Sequence, residues 1–168
     1  MGKQYTTTGI ELINSTGGTI MDSTGIVSTT NFNFGQGTAP AGTQAITSSY
    51  PTYTNITGGS VTLSLTRQAN ILLNYTVSGW HGDFDGIGWI RVSDGTTTYG
   101  PNAFISGDGS DANEIMRTVS ASFIQNFAAG TYNLQLQATQ NNSPGTLNIT
   151  TLGLINTAAI INYVILGK

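Results

Sequence analysis

Thr131-Tyr132-Asn133-Leu134-Gln135-Leu136-Gln137-Ala138-Thr139 is the stretch that decides the fold. Tyr132, Leu134, Leu136 and Ala138 fall on one parity, and Asn133, Gln135 and Gln137 on the other. A period of two sends successive side chains to opposite faces of a sheet, so this is a strand with one buried and one wet face. Val61-Thr62-Leu63-Ser64-Leu65-Thr66 repeats the alternation, as do Ile71, Leu73, Tyr75 and Val77 with Asn74 and Thr76 opposite. Ile87-Trp89, Val119-Ala121-Phe123 and Leu147-Ile149 extend the series, and Trp89 reads as core in its strand. Turn-forming clusters separate these runs: Thr57-Gly58-Gly59, Gly79 to Gly86, Asp94-Gly95, Gly107-Asp108-Gly109, Ala129-Gly130 and Asn141 to Gly145. No segment carries helical periodicity. Short strands at this spacing imply an all-β, antiparallel sandwich or barrel.

The last strand breaks the rule. Ala158-Ala159-Ile160-Ile161-Asn162-Tyr163-Val164-Ile165-Leu166 is apolar on both parities. In a sandwich whose other strands keep one wet face, the second apolar face needs a cover. Another copy of the chain is the natural candidate, with Ile160, Ile161, Tyr163, Val164 and Ile165 as the expected interface. Residues 1–48 contain Ile13-Asn14-Ser15-Thr16-Gly17, its echo Met21-Asp22-Ser23-Thr24-Gly25, and a Gly/Pro linker over 33–44. They read as an attachment or assembly arm too poor in apolar residues to fold alone, followed by a sandwich domain over 49–168.

Composition narrows the function. Only 8% of the 168 residues are charged, against about 25% in an ordinary soluble domain. Five basic and eight acidic residues give a net charge of −3, which leaves no basic field for a phosphate backbone and argues against nucleic-acid binding. Cysteine is absent, so disulfides, thiolate metal sites and cysteine catalysis are excluded. His81 is the single histidine, so no site can use two imidazoles. The polar stretch from Met1 to Thr8 does not read as a secretory signal. The longest apolar run falls far short of the ~20 residues of a membrane helix, so no membrane insertion is expected.

The pattern resembles phage and bacterial jelly rolls of the C1q/TNF-like type. The resemblance rests on Thr47-Ser48-Ser49-Tyr50, Tyr53-Thr54-Asn55-Ile56, the strands at Ser60 to Thr66 and Ile71 to Val77, Ala129 to Leu136, and the closing Tyr163-Val164-Ile165-Leu166-Gly167. It covers roughly residues 47–168. It implies an antiparallel jelly-roll sandwich, a homotrimer about a threefold axis, and a place at the tip of a viral fibre or other adhesin. Gly18-Thr19-Ile20-Met21-Asp22-Ser23-Thr24-Gly25-Ile26-Val27 resembles connecting segments of phage tail and baseplate fibres.

Trp80-His81-Gly82-Asp83-Phe84-Asp85-Gly86 is the segment richest in chemistry. A loop-tip Trp stacked on a sugar ring, with polar groups on its hydroxyls, would make Trp80, His81, Asp83, Asp85 and Tyr99 receptor-binding residues. The bland alternative is that Asp and Gly simply shape the turn. Asp83-x-Asp85-Gly86 fails the EF-hand template, because Ile87 and Trp89 follow at the alternate positions. Asp108, Asp111 and Glu114 in one Gly-rich loop are the better candidates for a structural Ca2+, set against a plain solvated acidic loop; no other cofactor is implied. Catalysis is not expected. No Gly-x-Ser-x-Gly elbow accompanies His81, and Asp83 and Asp85 lie too close in one turn to oppose each other across a cleft.

These readings converge on a non-enzymatic phage virion structural protein. It would be a short tail fibre or receptor-binding tip that recognises host-surface glycan as a homotrimer and joins other virion proteins through residues 1–48. The alternative is a capsid cement or decoration protein that stabilises the shell.

Overall fold

The computed structural model describes residues 2–6, 9–13, 19–21, 34–39, 42–83, 85–107, 116–141, 145–150 and 159–167. The chain divides into two compact units at Phe34/Gly35. In the first, β1 (Gly2–Thr6), β2 (Gly9–Ile13) and β3 (Thr19–Met21) form a three-stranded sheet in that order. The β1–β2 ladder is antiparallel, from Gly2↔Ile13 to Thr6↔Gly9.

The second unit holds β4 (Phe34–Thr38), β5 (Thr43–Ile46), β6 (Thr54–Leu65), β7 (Ala69–His81), β8 (Ile87–Ser93), β9 (Thr98–Ser106), β10 (Arg117–Phe127), β11 (Gly130–Gln140), β12 (Leu147–Thr150) and β13 (Ala159–Gly167). The first sheet runs β4-β13-β7-β12-β5, with β10 also on β7. One edge of β7 takes β10, from Ala69↔Phe127 to Gly79↔Arg117. Its other edge takes β13 and then β12 in succession. The second sheet runs β6-β11-β8-β9. From β5 to β12 every connection crosses between sheets except the β8–β9 hairpin, which is the winding of an antiparallel jelly roll. The all-β, antiparallel jelly-roll reading therefore holds.

β4 and β5 lie inside the stretch assigned by sequence to the arm, yet both belong to the sandwich sheet. A Cβ at Gly37 would fall inside the backbone carbonyl of Ser60 on β6, and one at Gly35 inside the Tyr163 ring. The glycines that made this segment look like a linker are what let it pack so closely. β9 is likewise a strand that the apolar alternation of the sequence does not mark. Its burial alternation is broken at Gly100, whose φ is +66°, and at Pro101, beside an irregularity in the β8–β9 ladder.

The core lies between the sheets. Ile71, Leu73, Tyr75 and Val77 on β7 meet Leu63, Ile90, Val92, Leu134 and Leu136 from the second sheet, all essentially inaccessible. Each such side chain contributes about 1.5–3 kcal/mol of burial. Tyr75 keeps its polar end satisfied by donating its hydroxyl to the Pro101 carbonyl at 3.0 Å, as a buried phenol requires. β13 is apolar on both faces as expected, but the faces differ. Ile161 and Tyr163 are buried in the core with Ile165 packed against it, whereas Ile160 and Val164 look outward.

Candidate functional site

The loop after β7 is built around His81. Alternation along β7 gives His81 the same inward parity as Ile71, Leu73, Tyr75 and Val77, and it is 6% exposed. Its Nδ1 accepts the Asp83 N–H at 3.2 Å, so the ring proton sits on Nε2, which donates to Gln140 Oε1 at 3.1 Å. Gln140 Oε1 also accepts the Leu147 N–H at 2.8 Å. Burial pulls the imidazole below its ordinary pKa, with Gln140 and Asp83 partly opposing it. The turn itself is tied down by Gly82 N–H on Thr146 O (3.0 Å) and Gly86 N–H on Asp83 O (3.0 Å). Asn141 completes the anchorage, donating to Asp85 O at 2.8 Å and accepting Ile87 N–H at 3.1 Å.

This geometry corrects the expected receptor site. His81 is a buried scaffold residue that shapes the turn. Tyr99 is also buried, with its ring 4.9 Å from that of Phe127. Its hydroxyl donates to Asp94 Oδ2 at 2.5 Å, while Asp94 Oδ1 accepts from the Thr96 and Thr97 N–H groups. These donors hold the Asp94 carboxyl well below its usual range, and burial together with that carboxylate pushes the Tyr99 phenol up to about 12. Asp85 is exposed and Asp83 half-buried. Trp80 is half-buried on the opposite face of β7 from His81, in register with Asn148. The five residues thus do not converge on one surface. Asp108, Asp111 and Glu114 lie outside the described residues. Among the described residues no cluster of three potential metal ligands occurs, and no helix is long and apolar enough to cross a membrane.

Two surfaces stand out instead. The outer face of the first sheet is laid out in rows by the pairing of β13, β7 and β10. Val164, Leu72 and Ile124 form one row, with Ile124 63% exposed. Leu166, 50% exposed, adjoins it. The neighbouring rows are neutral and bonded to themselves. Asn74 donates to Asn162 at 3.0 Å and accepts from Ser122 at 2.5 Å; Thr76 and Ser120 share a hydrogen bond of 2.8 Å.

The outer face of the second sheet carries aromatic rings. Trp89 on β8 pairs in register with Phe104 on β9, which is 63% exposed. Tyr50, 64% exposed, lies 6.0 Å from Trp89 and 6.5 Å from Tyr53 between ring centroids. The Arg91 guanidinium stacks 3.6 Å above the Tyr53 ring, and its Nε donates to Gln137 Oε1 at 2.9 Å. Gln137 Nε2 in turn donates to Asn55 Oδ1 at 2.8 Å. The segment carrying Tyr50 is pinned to the sheet. Tyr50 N–H donates to Gln140 O at 2.9 Å, Gln140 N–H to Ser48 O at 3.0 Å, and the Thr139 hydroxyl lies 2.6 Å from Thr52 O and 3.1 Å from Ser48 O. Trp89 is therefore half-buried on an outward face, not core. The cluster gathers residues 50 to 137, joined by the strand register and by the bonds that hold segment 48–52 to β11. The one signal in the sequence is the shared parity of Trp89 and Arg91.

No protein-family model matches the chain, and no curated protein matches it. Among solved structures it is similar to Eiger TNF from S. frugiperda, with a TM-score of 0.50 and 11% identity, covering 82% of this chain and 94% of that one. It is also similar, at a TM-score of 0.32 and 17% identity, to the C-terminal CBM6 of LamC, described as a marine laminarinase from Zobellia galactanivorans. That match covers 77% of this chain and 98% of that one. The sheet orders and the first of these likenesses define a TNF-like jelly roll.

Proposed function

We propose that the chain is a non-enzymatic receptor-binding module. It works as a homotrimer at a phage virion surface, at the tip of a short tail fibre, and recognises host-surface carbohydrate. The observation that carries this reading is the outer face of the first sheet. Leu72, Ile124, Val164 and Leu166 make an apolar stripe flanked by Asn, Ser and Thr rows that already satisfy one another. Such a face gains by burial against a copy of itself and strands no charge in doing so. Copies held together would then add their individual weak contacts to a cell surface. The virion setting rests on the sequence resemblance and the near absence of charge.

The test is the mass of the purified chain by light scattering, followed by binding of labelled protein to candidate host cells. The expected mass is three times 17.6 kDa. Ile124→Asp is expected to give single copies that keep the native thermal transition, because Ile124 is mostly exposed. Cell binding is expected to be saturable and competed by surface polysaccharide. A native chain that stays monomeric at micromolar concentration refutes the trimer. A trimer that ignores cells but adheres to stripped capsids shifts the reading to a cement protein.

A further inference from the structure

We infer that the outer face of the β6-β11-β8-β9 sheet is a binding site for an acidic glycan. A pyranose ring lies against the rings of Tyr50, Trp89 and Phe104, and its carboxylate is held by Arg91. This deepens, and rests on, the carbohydrate-recognition reading above.

Four observations converge here. Two large aromatic side chains, Tyr50 and Phe104, stand more than three-fifths exposed on either side of a half-buried Trp89. Water-facing rings are costly to keep unless something stacks on them, and the apolar C–H face of a pyranose matches their area and their need for one dry and one wet side. The backbone that carries the Tyr50 ring is also held before any ligand arrives, because its segment is bonded to Gln140 and Thr139 at both ends. Little ordering is left for binding to require.

The third observation is charge. Arg91 makes no ion pair with a carboxylate among the described residues; its partners are the neutral Gln137 amide and the Tyr53 ring. A planar guanidinium backed by an aromatic ring is suited to a carboxylate or to paired sugar hydroxyls. Among the described residues Arg91 is the one cation on an otherwise neutral face, and this selects the carboxylate. The fourth is the fixed polar row Asn55–Gln137–Arg91 beside the rings, which supplies directional contacts where stacking supplies none. Among the described residues of the expected site at Trp80 to Gly86, Trp80 is the one aromatic side chain besides the buried His81 ring.

The chain has two tryptophans, so Trp80→Phe leaves Trp89 as a reporter within the platform. The full-length Trp80→Phe protein is titrated with uronic-acid and sialic-acid oligosaccharides and with neutral glucan oligosaccharides of equal length. The expected result is a saturable change in Trp89 emission with at least one acidic series, weakening modestly with salt as one charge contact requires. Tyr50→Ala is expected to weaken that binding at least tenfold and leave the thermal transition in place. Arg91→Gln is expected to abolish the preference for acidic over neutral sugars.

Equal response to neutral and acidic series overturns the acidic assignment. No response to any series overturns the site. Cell binding that survives Tyr50→Ala and Phe104→Ala unchanged also overturns the site while the receptor reading stands. Oligosaccharide binding at Trp89 by a chain that ignores cells supports the site and removes the receptor reading.

Discussion

Thr139→Val isolates the link between the core and the aromatic face. Thr139 is fully buried on β11, and valine keeps its shape while deleting the hydroxyl, so the packing cost is small and the polar cost is exposed. The hydroxyl sits 2.6 Å from Thr52 O and 3.1 Å from Ser48 O. Ser48 O still receives the Gln140 N–H in the variant, which leaves Thr52 O as the orphaned acceptor. A lost hydrogen bond costs about 1 kcal/mol net, rising to about 3 kcal/mol when the remaining partner is dry. Because Thr52 is itself exposed, water reaches part of its carbonyl, and a loss of about 1–2 kcal/mol is expected. For a chain of this size that lowers Tm by about 2–8 °C. The loss should be concentrated where the bonds are. Amide hydrogen exchange at Tyr50 should accelerate about tenfold for each 1.4 kcal/mol of local loosening, ahead of the core strands. A change below about 0.5 kcal/mol, or an unaltered Tyr50 amide beside a lowered Tm, would refute the claim that Thr139 holds this segment in place.

Protonation of His81 opposes folding. Its folded pKa lies below the ordinary 6.5, so between the two values the unfolded chain binds the extra proton and stability rises with pH. Stability is therefore full above about pH 6.5 and declines below it, by at most about 1.4 kcal/mol per pH unit. Urea melts from pH 5 to 8 should show this slope, and His81→Gln should flatten it. Asp94 acts lower. Its depressed pKa adds stability that is present above its ordinary value of 3.8 and lost as pH falls below it. Asp94→Asn should bring the Tyr99 phenol part of the way down from about 12, since burial remains, as read by tyrosinate absorbance; an unmoved titration would remove Asp94 as a cause. Gly37→Ala places a methyl inside the Ser60 carbonyl and is expected to cost about 3 kcal/mol or more. Gly42→Ala meets open space at φ +127° and should cost about 1 kcal/mol; equal losses in thermal melts would argue against close β4–β6 contact.

Alternation made the long strands legible. In β7 the burial period follows the apolar period almost residue by residue, whereas β11 alternates only as far as Leu136, after which Gln137, Thr139 and Gln140 on it are buried as well. His81 shows how that signal is overlooked at a strand end, because its Gly and Asp neighbours suggest a loop while its parity with Val77 already places it inside. β9 was hidden by Gly100 and Pro101, which break its alternation, and β4 by the glycines that its close packing demands. Thr57-Gly58-Gly59 has the composition of a turn, yet these residues bulge within β6 opposite Leu136. There Gln44 bonds both Asn55 O and Thr57 N–H. The aromatic face was illegible for a different reason. Tyr50, Trp89 and Phe104 are brought together by pairings distant in sequence, and no local window contains them.

Pro101 sits on β9, the outermost strand of its sheet. Proline has no N–H to offer a passing strand, and the carbonyl of the same residue is already engaged by Tyr75. An open edge invites sheet-to-sheet growth between molecules; here the invitation is interrupted midway along the strand. That border steers neighbouring copies at high concentration away from fusing edge to edge into fibrils.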